Sequence, residues 1–268
     1  MAPTMPSEGF WGPPTATIDW CEKNYQVSFY VAEWWNTISN LMIILPPLWG
    51  IFEVYNQGFD KRFIFCNFLV AIVGVGSWFF HMTLLYEMQL FDELPMVYGS
   101  LFLLYCLIEA PKAANKEFFS NKPLFAFLLT FAVIFTLIYL VWPQPWFQHS
   151  SYGVIVLGSF GMKAKIIREK KCRICKRICL TSISLYLFAF FLWNVDKLFC
   201  SSLENVRQKA PTGVGPVTQL HAWWHALAGY SSYLLVLFCI HTWYDFHKQK
   251  EEKRKLEFTH LGFSLRWS

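Results

Sequence analysis

The sequence predicts an all-α membrane protein with seven transmembrane helices. Three observations lead to this fold class: 55% of the 268 residues are hydrophobic, only 15% are charged, and the mean hydropathy is +0.32. Soluble domains usually carry about 25% charged residues, so this composition excludes an ordinary soluble globular protein. Apolar stretches of about 20 residues, which is the length that crosses a bilayer, recur along the chain.

Seven apolar stretches are long enough to cross the membrane, and the fifth of them is short and rich in glycine. They cover residues 34–54, 63–82, 93–110, 123–142, 146–162, 178–199 and 219–244. Because the number of crossings is odd, we expect the two termini on opposite sides of the membrane. The chain then divides into an N-terminal segment (1–33), a seven-helix domain that carries the candidate catalytic residues (34–245) and a basic tail (246–268).

Lysine and arginine predict the orientation, because cytosolic loops carry these residues in excess. With the N-terminus outside, 19 of the 23 basic residues fall on the inner face and four on the outer face: Lys23, Lys197, Arg207 and Lys209. We therefore expect a luminal or extracellular N-terminus and a cytosolic C-terminus. The formal net charge of +5 then reflects this bias and anionic lipid headgroups, and it does not indicate a nucleic-acid partner.

Polar residues that are unusual inside a membrane occur at one depth in four of the predicted helices. On the predicted topology they all lie near the outer side: Ser77 and His81 end the second helix, Asp92 and Glu93 open the third, Asn194 and Asp196 end the sixth, and His221 and His225 open the seventh. Because these residues come from separate parts of the chain, their convergence predicts a functional site at the outer end of the bundle.

His221 and His225 are the strongest candidates for metal ligands. Residues four apart on a helix lie on one face, about 6 Å apart along its axis, which suits two imidazoles that bind one ion. His81 supplies a third imidazole, and three ligands leave the fourth zinc position open, as in catalytic zinc sites. A histidine at a helix end is otherwise often an interfacial hydrogen-bonding residue, and that alternative stays open for each histidine taken alone.

Ser77 and Asp92 supply the remaining chemistry of a hydrolase. Zinc at an open site lowers the pKa of bound water from 15.7 to about 7, so that water becomes a nucleophile near neutral pH. A nearby carboxylate can carry the proton, and a serine hydroxyl can hydrogen-bond a developing oxyanion. Asp92 can also cap the third helix, and the two roles are compatible. Together these residues predict metal-assisted hydrolysis.

The N-terminal segment is rich in oxygen ligands. Asp19, Glu22, Asn24 and Glu33 fall within fifteen residues, and carboxylate and amide oxygens suit a hard cation such as calcium. Their spacing is not that of an EF-hand loop. The alternative is a solvated, capped entry to the first helix, and the spacing does not exclude it.

The cysteines fall on both sides of the predicted membrane. Cys21 and Cys200 lie on the outer side, where oxidation is permitted, so they can form a disulfide between the N-terminal segment and the sixth helix. Cys172, Cys175 and Cys179 lie in the basic inner loop. Their spacing is an incomplete metal motif, palmitoylation beside a polybasic stretch is an alternative, and free thiols are the simplest interpretation.

Five sequence runs resemble the alkaline ceramidases, and among them the type 3 branch and its fungal relatives. They are WGPPTATIDWCEKNY (11–25), VAEWWNTISN (31–40), GSWFFHMTLLYEMQLFDELPM (76–96), FLWNVDKLFC (191–200) and QLHAWWHALAG (219–229). The resemblance extends from about residue 9 to about residue 245. It implies a membrane enzyme that hydrolyses the amide bond of ceramide, its lipid substrate, to a sphingosine-type base and a free fatty acid by zinc-activated water.

The resemblance also implies the site residues and the location. Zinc is expected on His81, His221 and His225, with Ser77 and Asp92 as catalytic residues. A stimulatory calcium ion is expected on Asp19, Trp20 (through its backbone carbonyl), Glu22, Asn24 and Glu33, and the family's disulfide corresponds to Cys21–Cys200. The expected location is the membrane of the endoplasmic reticulum and Golgi apparatus, with the active site toward the lumen.

A receptor of the adiponectin-receptor-like type, with seven helices and a structural zinc ion, is the main alternative. It leaves the pairing of Ser77 with Asp92 beside an open zinc position unexplained. The sequence therefore favours the hydrolase.

Overall fold

The computed structural model describes residues 9–111, 119–170, 172–211, 213–246, 256–259 and 264–267. Within these residues the fold is almost entirely helical. The helices are α1 (Trp34–Ser39), α2 (Leu41–Asn56), α3 (Arg62–Thr83), α4 (Tyr86–Glu109), α5 (Lys122–Val141), α6 (Pro145–Lys170), α7 (Arg173–Leu198), α8 (Cys200–Lys209) and α9 (Leu220–Phe246), with a 3-10 helix over Gly215–Thr218. Two short antiparallel strands, β1 (Leu256–Thr259) and β2 (Ser264–Trp267), follow in the predicted basic tail.

α9 packs against α1, α2, α3, α4 and α7. α2 packs on α3, α3 on α4, α4 on α6 and α6 on α7, so these helices and α9 close a ring. α5 packs on α4 outside this ring and exposes large apolar side chains such as Phe127 and Val141. An apolar, exposed helix surface suits contact with lipid.

Six helical stretches of the described chain are long and apolar enough to cross a membrane, so the fold is that of a multi-pass membrane protein. They are Trp34–Asn56, Arg62–Thr83, Tyr86–Glu109, Lys122–Val141, Arg173–Leu198 and Leu220–Phe246. They correspond to six of the seven predicted segments. The other segment, 146–162, lies in α6, whose 26 residues form a helix about 39 Å long. α6 is less apolar because Gln148 and His149 open it and lysines end it.

Two helix boundaries differ from the predicted ones. The first predicted segment, 34–54, is divided at Asn40, which lies between α1 and α2. α4, which corresponds to the third predicted segment, begins at Tyr86 and not near residue 93, so Asp92 lies in its second turn. The prediction that Asp92 can cap this helix is therefore wrong. In the first turn of α4, the Gln89 side chain hydrogen-bonds Thr17 of the N-terminal segment.

Backbone hydrogen bonds attach the N-terminal segment to one end of the bundle. The Leu84 carbonyl, between α3 and α4, accepts from the N–H groups of Thr15 and Ala16 at 3.1 Å each. The Ala32 N–H donates to the Met82 carbonyl at 2.9 Å. The segment therefore covers this end of the helices, which we call the covered end. The other end, where α6 ends and α7 begins, is the open end.

Candidate functional site

Three buried histidines converge at the covered end. His81 is in the last turn of α3, and His221 and His225 are in the first two turns of α9. Each is 1–3% exposed, and one ring nitrogen from each lies within 4.8 Å of the other two. Their ring centroids are 4.5–5.1 Å apart. This spacing allows all three imidazoles to bind a single ion.

Neighbouring side chains orient two of the three imidazoles. Glu33 Oε2 lies 2.5 Å from His81 Nδ1, and the Ser39 hydroxyl lies 2.8 Å from His225 Nδ1. A hydrogen bond at one ring nitrogen fixes the ring and leaves the other nitrogen available to a metal. Among the described residues, His221 Nδ1 is buried and has no hydrogen-bond partner. Because an unpartnered buried nitrogen is destabilising, the three rings fit a bound metal ion.

The N-terminal segment contacts the histidines directly. The Trp20 indole is 5% exposed and stacks on the His221 ring, with centroids 3.7 Å apart and planes inclined by 18°. Asp196, at the end of α7, accepts the backbone N–H of Cys21 at 3.3 Å and also faces the N–H of His221. These contacts join the segment, α7 and the start of α9 around the histidine cluster.

Ser77 and Asp92 face each other across the contact between α3 and α4. Both are buried, and the Ser77 hydroxyl hydrogen-bonds the Asp92 carboxylate. Gly76 permits this approach, since a Cβ at that position would lie 2.1 Å from the backbone oxygen of Phe91. Small residues commonly allow membrane helices to pack this closely. The glycine therefore positions the serine and the aspartate.

A cavity of about 500 Å³ lies beside these polar groups. Ser77, Asp92, His221 and His225 form part of its wall. The rest is mainly apolar and includes Leu103, Phe160, Leu187, Phe190 and Trp224, from α4, α6, α7 and α9. The volume lies in the range of small-molecule pockets. The arrangement suits a largely apolar molecule whose one polar group meets the histidines.

The carboxylates of the N-terminal segment lie next to the histidine cluster. Glu22 is 3% exposed and accepts the N–H groups of Trp35 and Asn36 at 2.7 and 2.8 Å, so it caps α1. Glu33 is fully buried, and within the described chain its Oε1 has no hydrogen-bond partner. The helix entry is therefore capped, as one alternative predicted, but it is buried and not solvated.

Electrostatics at these carboxylates favour a cation. Burial raises the pKa of Glu22 to about 7, although the Trp35 and Asn36 N–H groups and Arg207 lower it in part. Burial also raises the pKa of Glu33 well above its usual value, and the nearby carboxylates of Asp19 and Glu22 raise it further. A divalent cation would remove this repulsion.

The predicted calcium residues converge less closely than the histidines. Over the described ranges, the three histidines form a group with ligand atoms within 4.8 Å of one another, but Asp19, Glu22 and Glu33 do not. Asn24 is buried beside them, at 5% exposure. A carboxylate oxygen has two lone pairs, so Glu22 can cap α1 and still bind a cation.

A disulfide joins Cys21 to Cys200, whose Cα atoms are 5.3 Å apart. Arg207 of α8 donates to the Cys21 carbonyl at 2.6 Å and lies 3.9 Å from Asp196. These bonds tie the N-terminal segment to α7 and α8 over a sequence separation of 179 residues.

Sequence analysis did not identify Ser39, Gly76 and His149 as residues that shape the site, and it expected only the backbone carbonyl of Trp20 to take part. Ser39 orients His225, the Trp20 ring stacks on His221, Gly76 admits the helix contact, and His149 lines the cavity. Only Gly76 leaves a sequence signal, because a glycine inside a helix is unfavourable unless close packing requires it.

Comparison with known proteins identifies relatives along nearly the whole chain. The sequence model of the Ceramidase family matches residues 12–265, past residue 245, where the motif resemblance ended. Alkaline ceramidase 3 of Mus musculus is 42% identical over 242 residues, covering 90% of this chain and 89% of the mouse protein. Alkaline ceramidases of Saccharomyces cerevisiae and Arabidopsis thaliana are 34% and 32% identical, over 85% and 86% of this chain and 77% and 86% of their own lengths. The chain therefore belongs to the ceramidase family.

Proposed function

We propose that the protein hydrolyses the amide bond of ceramide within the membrane, giving a sphingosine-type base and a free fatty acid. One observation carries this proposal: three imidazoles converge, and two of them, with Ser77 and Asp92, line a largely apolar cavity. The relatives named as alkaline ceramidases support the substrate. A lipid amide presents one polar linkage between apolar chains, which matches a polar cluster beside an apolar wall.

His81, His221 and His225 hold a zinc ion in this proposal. Zinc, when bound, supplies a Lewis acid that activates water and polarises a carbonyl oxygen. The chain supplies the other functions. Glu33 holds the His81 ring in position, and Ser39 holds the His225 ring. The Trp20 ring packs against His221 and excludes water from that side.

Asp92 acts as the general base and acid. Its carboxylate takes a proton from the attacking water and delivers it to the nitrogen of the leaving base. The Ser77 hydroxyl turns from Asp92 and donates its hydrogen bond to the carbonyl oxygen as negative charge develops there. The apolar cavity wall binds a hydrocarbon chain of the substrate and holds the amide in position.

Asp19, the Trp20 carbonyl, Glu22, Asn24 and Glu33 hold a calcium ion in this proposal. The raised pKa values of Glu22 and Glu33 support a cation at this position. Because Glu33 also contacts His81, calcium binding orders the cover of the zinc site and stimulates activity.

The proposed topology has seven transmembrane helices, with the covered end in the lumen of the endoplasmic reticulum and Golgi apparatus. α6 contributes the seventh span, supported by its length and its place in the ring between α4 and α7. The lysine and arginine distribution supports the orientation. A Cys21–Cys200 disulfide is compatible with the lumen, which permits oxidation.

The direct test is to incubate the purified protein in detergent with a panel of ceramides and to quantify the fatty acid and the sphingoid base by mass spectrometry. We expect equal amounts of both products, and we expect His225→Ala to abolish their release. His247→Ala is the matched control, because it removes an imidazole that belongs to the basic tail (246–268) and to neither group of metal-binding side chains in the described part of the chain. Release of neither product from any ceramide, by protein that contains zinc, would contradict the proposed substrate.

A further inference from the structure

A second cluster of metal-binding side chains lies at the open end of the bundle. Ligand atoms of Cys172, Cys175 and His241 all lie within 4.8 Å of one another. Cys175 Sγ is 3.4 Å from His241 Nδ1. In the structure Cys172 and Cys175 are bonded as a disulfide. The imidazole completes the cysteine motif, which the sequence alone left without a histidine.

Helix packing brings these three residues together. Cys172 is the N-cap of α7, and its sulfur accepts the N–H of Cys175 at 3.1 Å. His241 lies near the end of α9, the helix on which α7 packs most extensively. Cys175 is fully buried and His241 is 7% exposed, so both are held by the core. His241 is 20 residues beyond His221, about 30 Å along α9, so this cluster is separate from the first.

The chemistry of the cluster suits a soft divalent ion. Two thiolates in a Cys-x-x-Cys pair and one imidazole are ligands that zinc prefers in proteins. Two sulfurs at the N-terminus of α7 also meet the positive end of the helix dipole. Arg173 and Lys176 follow directly in the sequence, and their charge favours thiolates.

Whether Cys172 and Cys175 are oxidised or reduced depends on the side of the membrane that they face. This inference rests on the orientation proposed above. The open end then faces the cytosol, where thiols are kept reduced. Reduction of the Cys172–Cys175 disulfide takes two electrons from a thiol or phosphine reductant and two protons from water, and it yields the two thiols. Both thiols lose their protons when they bind a metal.

We propose that Cys172, Cys175 and His241 form a second zinc site, which joins the start of α7 to the end of α9 on the cytosolic face. The site lies outside the catalytic cluster, and its ion stabilises the packing of the two helices.

Cobalt substitution tests the proposal, because only a thiolate ligand gives a near-ultraviolet sulfur-to-cobalt charge-transfer band. The full-length protein is reduced with a phosphine under argon, freed of the reductant and titrated with Co²⁺. We expect the band in the wild type and its loss in Cys172→Ser, Cys175→Ser and His241→Gln. Cys106→Ala, which removes a buried cysteine outside the cluster, should keep the band. A reduced wild type that binds cobalt without this band would overturn the proposal.

Zinc content separates this site from the catalytic one. We expect two zinc ions per reduced wild-type chain and one in Cys172→Ser, which keeps ceramide hydrolysis within about twofold. His221→Ala should also hold one zinc ion, keep the cobalt band and lose hydrolysis. Cys172 is half-buried at the helix start, so its serine variant tests the site even if Cys175→Ser does not fold. One zinc ion in both the wild type and Cys172→Ser contradicts the second site and leaves the proposed function intact.

Discussion

Buried charged side chains have different partners at the two ends of the bundle. At the open end, Arg62 is 1% exposed and lies 3.0 Å from Asp60 and 3.1 Å from Glu109. Its guanidinium also stacks over the Trp243 ring at 3.7 Å. Glu109 in turn accepts the Tyr105 hydroxyl at 2.7 Å. The protein here supplies its own counter-charge.

At the covered end, the buried acidic groups and imidazoles outnumber their cationic partners. Arg207 lowers the pKa of Glu22 only in part. The carboxylates of Asp19, Glu22 and Asp196 all raise the pKa of Glu33. A buried charge matched by the protein serves folding, whereas buried groups that need an added ion are typical of functional sites. The comparison predicts that substitutions at the covered end reduce activity and that substitutions at the open end reduce stability.

The largest effect on activity within this comparison is expected for Asp92→Asn. The amide keeps the size of the side chain but cannot carry a proton, so kcat should fall by about 10²–10⁴-fold. Zinc content should not change, because Asp92 is outside the histidine cluster. A kcat within tenfold of the wild type would remove Asp92 from the mechanism.

Gly76→Ala should reduce activity about 100-fold. The new Cβ meets the Phe91 backbone oxygen at 2.1 Å, so α3 and α4 must separate by about 1 Å, and a displacement of this size can cost about 10² in rate. Gly161→Ala is the matched control, because nothing lies within 4 Å of its Cβ position. Equal activities of the two variants would show that the close approach has no catalytic role.

Glu33→Gln should reduce zinc affinity by about 10–100-fold, since residues that orient a metal-binding histidine have effects of this size. We expect the calcium stimulation of fatty-acid release to disappear as well. Ser39→Ala, which removes the neutral partner of His225, should have a smaller effect. If Glu33→Gln left both the zinc affinity and the calcium response unchanged, Glu33 would not link the two proposed ion sites.

The smallest effect on activity is expected at the open end. Arg62→Met leaves Glu109 buried without its partner and should lower the free energy of unfolding by about 3–5 kcal/mol. The activity per folded molecule should stay within about twofold. The double variant Arg62→Met/Glu109→Gln should recover part of the lost stability, because it removes the unpaired charge and keeps an oxygen that can accept from Tyr105. Thermal unfolding measures the stability, and ceramide turnover measures the activity, of the same samples. A large loss of turnover in Arg62→Met would contradict the difference between the two ends.

Hydropathy and local spacing predict much of the fold. Apolar stretches located the long helices, and the interval between His221 and His225 placed two imidazoles on one helix face because that relation is local. The broken first helix and the early start of α4 were not predicted. The first turn of α4 contacts a distant part of the chain, as Gln89 shows through its bond to Thr17, 72 residues away.

Sequence analysis predicted the candidate metal-binding histidines but not the side chains that orient them. Ser39 reaches His225 over 186 residues of sequence, and no local pattern encodes that contact. Likewise, His241 meets Cys175 only because α7 packs on α9. Residue types that bind metals can be recognised in a sequence. The side chains that contact them in space can be identified only from the packed helices.

Zinc titration of metal-free protein tests the central claim most directly. The Cys172→Ser variant is stripped with a chelator, reloaded with increasing zinc, and assayed for bound zinc and for fatty-acid release from ceramide in the same samples. We expect no release without zinc and an increase in proportion to bound zinc that ends at one ion per chain. Full activity in the stripped protein, or activity independent of bound zinc, would contradict a catalytic zinc ion on His81, His221 and His225.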